Sequence, residues 1–302
     1  MAENSISRKY TLNIIPCRLE DGKYVPDGEV TTIKDPITIR FSTKKIMYNG
    51  LDCTAKIEIY NLNKTTRDNI FYDFLRMENF RIIELFAGYE GKVQSLIFKG
   101  IIKYCRPKKT NTDVIMDIEA FSGLYVLNNN ESTTLEGEMS IEQIYTKLAN
   151  DCPGVTRGTT ELEEKFLPRT VSLMGNSVQL LKTYTNDKVS LNDEELIVMD
   201  ANQVIEGDVK VIDDETGLLG IPERDRTTLT VNCMFEPRIQ LGQVLEIRSK
   251  IAPMFDGQYK VWGISHDGII SGSISGSLVT KITLYTGVNL FGHFESTWEK
   301  VL

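Results

Sequence analysis

The sequence predicts a mainly β chain with minor α (α+β), in which two antiparallel β-barrels flank a mixed α/β middle domain. Three observations predict it. Apolar residues recur at every second position through both ends of the chain. A sustained 3.6-residue period is concentrated between residues 140 and 185. The acidic residues gather in that same middle stretch. The expected units are 1–128 for the first barrel, 129–205 for the acidic middle domain, and 206–302 for the second barrel with a C-terminal tail. Either barrel can draw pieces from beyond those limits. At 302 residues the chain can bury ample core without disulfides or metals.

The elements follow in order. Tyr10, Leu12 and Ile14 alternate with polar residues, as do Ile37, Ile39 and Phe41, then Ala55, Ile57 and Ile59, then Val114, Met116, Ile118 and Ala120. Each set reads as a strand with one buried face. Residues 80–89 and 94–104 read as longer strands joined at Glu90-Gly91-Lys92, a glycine-containing hairpin loop. Lys34-Asp35-Pro36 marks a turn, because proline disfavours helix at the residue before it. The best early helix is 64–75, with Asn63 as N-cap and Ile70, Phe71 and Phe74 as an apolar stripe.

In the middle, Ser140 and Gln143 stand at capping-box spacing before Ile144, Tyr145 and Leu148. That helix should end near 151–154. A second helix is expected over 177–185, and a hairpin over 188–199 with its turn at Asn192-Asp193. Beyond Val204 the period returns to two, in Leu229, Val231, Cys233 and Phe235. Strands at 258–264 and 279–285 enclose the Gly/Ser-rich stretch 268–277, which reads as a flexible hairpin tip.

Net charge is −8, and residues 131–220 hold 18 of the 42 acids but only 7 of the 34 bases. This balance argues against a dedicated nucleic-acid-binding face, which would be basic. The acidic stretch fits a solvated surface or one matched to a basic partner. No apolar run approaches the roughly 18 residues of a membrane span, so no membrane insertion is expected. The start of the chain lacks a charged segment followed by an apolar one, so folding in a cytoplasm is expected. Cys17, Cys53, Cys105, Cys152 and Cys233 form no CxxC pair and read as small buried hydrophobes.

Catalytic parts are sparse. The two histidines are His266, beside turn-forming Asp267-Gly268, and His293, in a tail expected to lie at the surface. No G-x-S-x-G, zinc, EF-hand, Walker or Rossmann pattern occurs. Asp213-Asp214-Glu215 and the run holding Glu161, Glu163 and Glu164 read as solvated acidic faces. The expectation is a chain that is not an enzyme, with no catalytic, cofactor-binding or metal residues and no cofactor.

Several phrases in sequence carry a resemblance. They are Ala55-Lys56-Ile57-Glu58-Ile59-Tyr60-Asn61-Leu62, Leu85-Phe86-Ala87-Gly88-Tyr89-Glu90-Gly91 and Ile97-Phe98-Lys99-Gly100-Ile101-Ile102. Later come Glu215-Thr216-Gly217-Leu218-Leu219-Gly220-Ile221-Pro222, Pro237-Arg238-Ile239-Gln240-Leu241-Gly242 and Asp256-Gly257-Gln258-Tyr259-Lys260-Val261. Their order and spacing resemble the baseplate hub proteins of contractile-tailed bacteriophages, the tail protein D-like or late-control family. The resemblance spans roughly residues 10–285. It implies that the two barrels are of the tail-tube kind. It implies a homotrimer, a ring that adapts the sixfold tail tube protein to the threefold spike protein, with baseplate wedge proteins as further partners. It implies that DNA passes through the bore without specific binding, and that the protein belongs to the virion tail, assembled in the host cytoplasm. The rival readings are a component of a phage-derived tailocin or secretion-like injection machine, and a tail-associated cell-wall hydrolase.

Overall fold

In the computed structural model, residues 7–21, 23–47, 53–73, 79–160, 162, 165–272, 276–286 and 299–301 are described. The first part comprises β1 (Arg8–Glu20), β2 (Lys23–Pro26), β3 (Thr31–Lys34), β4 (Ile39–Ile46), β5 (Cys53–Tyr60), α1 (Lys64–Ile70), β6 (Tyr72–Asp73), β7 (Asn79–Tyr89), β8 (Ser95–Thr110), β9 (Asp113–Phe121) and α2 (Leu124–Asn128). The middle comprises β10 (Asn130–Leu135), β11 (Met139–Ser140), α3 (Ile141–Asp151), β12 (Thr156–Thr160), β13 (Phe166–Leu167), β14 (Val171–Asn176), α4 (Ser177–Tyr184), β15 (Val189–Asn192), β16 (Glu195–Val198) and β17 (Gln203–Ile205). The last part comprises β18 (Lys210–Ile212), β19 (Leu218–Asp225), β20 (Thr228–Met234), β21 (Val244–Ile247), β22 (Gly257–Ile270), β23 (Leu278–Tyr285) and β24 (Glu299–Val301). The fold is mainly β with four helices among the described residues, as the periodicity predicted.

Both strand-rich ends belong to one 15-stranded sheet, whose main path runs β19-β20-β23-β22-β4-β5-β9-β8-β7-β1-β2. The bridge between the ends is the antiparallel β4–β22 ladder, from Gly263 opposite Ile46 to Ile270 opposite Ile39. Alternation decides which face is buried. In β4, Ile39, Phe41, Thr43 and Lys45 point inward, while Arg40, Ser42 and Lys44 are exposed.

The sheet packs around two large apolar cores, with a smaller cluster of Cys17, Phe80, Ile82 and Ile101 on β1, β7 and β8. One gathers Leu12, Phe41, Ile57, Leu85, Phe98 and Ile118 from the first part, with Phe235, Ile270 and Leu278 from the last. The other gathers Val231, Leu245, Val261, Ile264 and Ile282 with Met47, Ile197 and Met199. A third core, in the middle unit, contains Ile144, Tyr145, Leu148, Leu181, Leu196 and Val198. The strand β16 therefore faces two cores: Leu196 and Val198 point into the middle unit, and Ile197 points into the last lobe. Such a strand is buried on both faces and shows no alternation.

The caps lie where the sequence put them. Asn63 Oδ1 accepts the Thr66 N–H at 2.8 Å. In the 140–143 box, Ser140 Oγ accepts the Gln143 N–H at 3.1 Å and Gln143 Oε1 accepts the Ser140 N–H at 2.9 Å. Asn176 Oδ1 accepts the Val178 N–H at 3.0 Å at the start of α4.

Other elements differ from expectation. α1 stops at Ile70, because Phe71 turns out of the helix and Tyr72 and Asp73 pair with Cys105 and Tyr104 of β8. Phe71 is 50% exposed, so the expected stripe reduces to buried Ile70, and Phe74 lies outside the described residues. β8 runs on through Pro107 to Thr110. Among the described residues only β9 pairs with it past Cys105, and that edge tolerates a residue without an N–H. Gly268 lies within β22 rather than in a tip, where a Cβ would meet Ser277 O at 2.3 Å. The middle hairpin turns at Asp193-Glu194, one residue later than expected.

Candidate functional site

The groups most able to do chemistry are put to structural use. His266 lies mid-strand and buried, not at a turn. Its Nδ1 shares a 2.9 Å hydrogen bond with the Thr280 hydroxyl, which also accepts the Glu236 N–H. Burial pushes its pKa down to about 3, so the ring is neutral. All five thiols are buried; burial raises Cys17 to about 11 and Cys53, Cys105, Cys152 and Cys233 to about 12, far from the thiolate a nucleophile needs. Among the described residues no group of three or more His, Cys, Asp or Glu could hold a metal ion. Asp213 builds a turn, accepting the Glu215 and Thr216 N–H groups at 2.9 and 2.7 Å, while Glu215 pairs with Lys250. His293, Glu161, Glu163 and Glu164 lie outside the described residues.

Two features remain. The first is the solvent face of the continuous sheet. The register sets Lys281 beside Ser265, Ser265 beside Lys44, and Asp267 beside Ser42. It then sets Ser42 beside Lys56, Arg40 beside Glu58, Lys56 beside Glu119 and Glu58 beside Asp117. Small hydroxyls and interleaved charges of both signs thus cover a band crossing β23, β22, β4, β5 and β9. Both apolar cores lie behind it.

The second is the joint of the middle unit. In the Asp193-Glu194 turn both residues take left-handed φ, 52° and 68°. This is the primed geometry of a two-residue hairpin, usually filled by Asn or Gly. Asp193 pairs with the Lys45 ammonium and accepts the Lys99 N–H at 2.8 Å. Both Glu194 carboxyl oxygens lie 3.1 Å from the Gly123 nitrogen, and the Glu194 N–H donates to Ser122 Oγ at 2.7 Å. Gly123 (φ 65°) is confined further by Leu191, 2.3 Å from where a Cβ would stand. At the other joint, buried Lys260 of β22 donates from Nζ to the Asp200 carbonyl at 2.7 Å. Sequence reasoning missed these groups. Its one available signal was parity: Lys45 and His266 occupy inward positions of alternating strands.

Comparison with known proteins bears on this arrangement. No curated protein matches the chain closely enough to count as a relative. Among solved structures, a tail protein from Neisseria meningitidis superposes with a TM-score of 0.58 at 13% identity, covering 96% of this chain and 98% of its own. The 43 kDa tail protein of prophage MuSo2 from Shewanella oneidensis gives 0.57 at 7% identity, covering 90% and 96%. The E. coli c3393 protein is described as a type VI secretion component similar in structure to the T4 tail proteins gp27 and gp5. It gives 0.55 at 8% identity, covering 87% and 78%. At these identities the likeness is one of fold. The family model described as baseplate hub gp41 matches residues 20–268, well over half of the sequence, and the chain therefore belongs to the baseplate hub family of phage tail proteins.

Proposed function

We propose that the chain is the structural hub of a contractile tail baseplate. Three copies form a ring that joins the sixfold tail tube to the threefold spike and surrounds the DNA channel, with no catalysis of its own. The observation that carries this reading is the family match over 20–268 in a chain with two apolar cores along one shared sheet. Two tube-like barrels per copy, in units near 1–128 and 206–302, give three copies six similar positions. The acidic unit near 129–205 then meets wedge or spike components. The protein works in the virion tail after assembly in the host cytoplasm.

The polar sheet face is the surface we assign to the bore. It crosses both lobes, and its mixed charges and hydroxyls, interrupted by half-buried Ile269 beside Arg40 and Val279 beside Asp267, offer a moving polyanion no strong positive field. The test of stoichiometry is native mass measurement of the full chain, alone and with its spike. Three copies are expected, and a monomer under both conditions overturns the ring. The test of the bore is Ser42→Lys combined with Asp267→Lys, which makes the band basic. Particles should assemble normally and release DNA more slowly, with the delay relieved by salt. An unchanged release rate removes this face from the channel.

A second reading, a hub of a secretion-like injection machine, is favoured by the likeness to the type VI component. Particles that carry DNA decide for the phage tail.

A further inference from the structure

The middle unit is fastened to the first lobe by a turn both of whose side chains reach across the joint. Asp193 binds Lys45 of β4 and the Lys99 N–H of β8; Glu194 binds Gly123 and Ser122, where the chain passes from β9 into α2. The Glu194 carbonyl also accepts the Thr156 N–H at 2.9 Å. Among the described residues no counter-cation touches the Glu194 carboxyl, although the residue is only 4% exposed.

We infer that the Asp193-Glu194 turn is a proton-dependent latch: it holds the middle unit on the first lobe while the Glu194 carboxyl keeps its proton, and loosens when that proton is lost. The surroundings support this. A carboxylate enclosed with one backbone N–H as donor is poorly solvated, and burial raises the Glu194 pKa from 4.5 to about 8. The charged groups facing it are few. Asp193, on the same turn, opposes ionisation. Lys99, on β8, favours it but is itself paired with Glu84 of β7 at 3.1 Å. Lys45 is occupied by Asp193. Cys53 and His266, the other titratable groups around Lys45, stay neutral across this range, at about 12 and about 3. Glu195, next in sequence, lies against the Gly158 backbone of β12. With the folded value above the unfolded one, the stabilisation is complete below pH 4.5 and is lost as pH rises through 8.

The test is amide hydrogen exchange of the full chain from pH 5.5 to 9, corrected for intrinsic rates. Protection of 122–128 and 193–198 should fall with pH, by up to about tenfold per unit below pH 8. Protection in β5 should stay level. Glu194→Gln, which keeps the shape and cannot ionise, should abolish the slope. Ser122→Ala should lower protection at every pH and keep the slope. A flat wild-type profile, a slope shared by the whole chain, or an unaltered slope in Glu194→Gln would each overturn the latch.

Discussion

The middle unit meets its two neighbours by opposite means. Toward the first lobe it offers a polar turn, Asp193-Glu194, and the backbone of Pro153 and Gly154 against the Tyr24 ring, and none of its described residues enters the core around Leu12 and Phe41. Toward the last lobe it offers Ile197 and Met199, which are part of that lobe's core, and a carbonyl that accepts from Lys260. The titration of the two joints is opposite as well. Burial raises Glu194 to about 8 and lowers Lys260 from 10.5 to about 7. The Glu194 contribution is lost as pH rises from 4.5 through 8. The Lys260 contribution is complete above 10.5 and is lost as pH falls through 7. Between pH 7 and 8 folding must neutralise both groups, so their summed contribution is smallest there. One joint relies on hydrogen-bond geometry and the other on apolar packing, and each should fail under its own conditions.

The largest expected effect breaks the apolar joint at β16. Ile197→Ala and Leu196→Ala each empty a buried aliphatic site and should cost about 2–5 kcal/mol. They should do so on different sides. Ile197→Ala loosens the last lobe, and Leu196→Ala loosens α3, α4 and β15, because the two side chains enter separate cores. Denaturant unfolding read by local hydrogen exchange separates them. Identical exchange maps for the two variants would mean that β16 does not divide the cores.

A smaller effect concerns the charged member of that joint. Lys260→Met keeps the length of the side chain but leaves the Asp200 and Ala201 carbonyls without this donor. At pH 10 the variant should be about 1–2 kcal/mol less stable than wild type, the cost of losing hydrogen bonds to part-buried carbonyls, of which the Asp200 carbonyl keeps the Gln203 N–H at 3.2 Å. At pH 7 the gap should narrow, because there the wild type must give up a proton to bury the amine. Urea midpoints at the two pH values measure both. Parallel shifts at pH 7 and 10 would show that the amine does not titrate near 7 in the folded chain.

The two joints also show where a sequence can be read. Strands with one wet face declare themselves: the alternation of Ile39 and Phe41, or of Ala55, Ile57 and Ile59, survives directly in the burial of β4 and β5. The capped helices are equally legible, since a cap acts within four residues of chain. β16 has no period to read, because both its faces are dry. The Asp193-Glu194 turn falls one residue past its expected place because its register is fixed by Lys45, Lys99 and Gly123, each at least 70 positions away. The β4–β22 ladder joins residues more than 200 positions apart. Nothing local in either strand names the other. α2 is missed for a related reason: its five residues are largely apolar, and the αL glycine that starts it is held in place by the middle unit.

The smallest effect sharpens the comparison by leaving both joints alone. Ser140 caps α3, and its hydroxyl and the Gln143 side chain satisfy each other's backbone N–H groups on an exposed surface. Neither residue touches the turn at 193–194 or the Lys260 amine. Ser140→Ala should therefore cost about 1 kcal/mol, the usual worth of an N-cap hydroxyl. The loss should be the same at pH 6, 7.5 and 9, since no ionisable group takes part in the cap. Exchange should quicken in the first turn of α3 while protection at 122–128 keeps its wild-type slope. A Ser140→Ala variant whose loss varies with pH, or which loosens the Gly123 region, would show that the middle unit transmits strain from its helix to its latch.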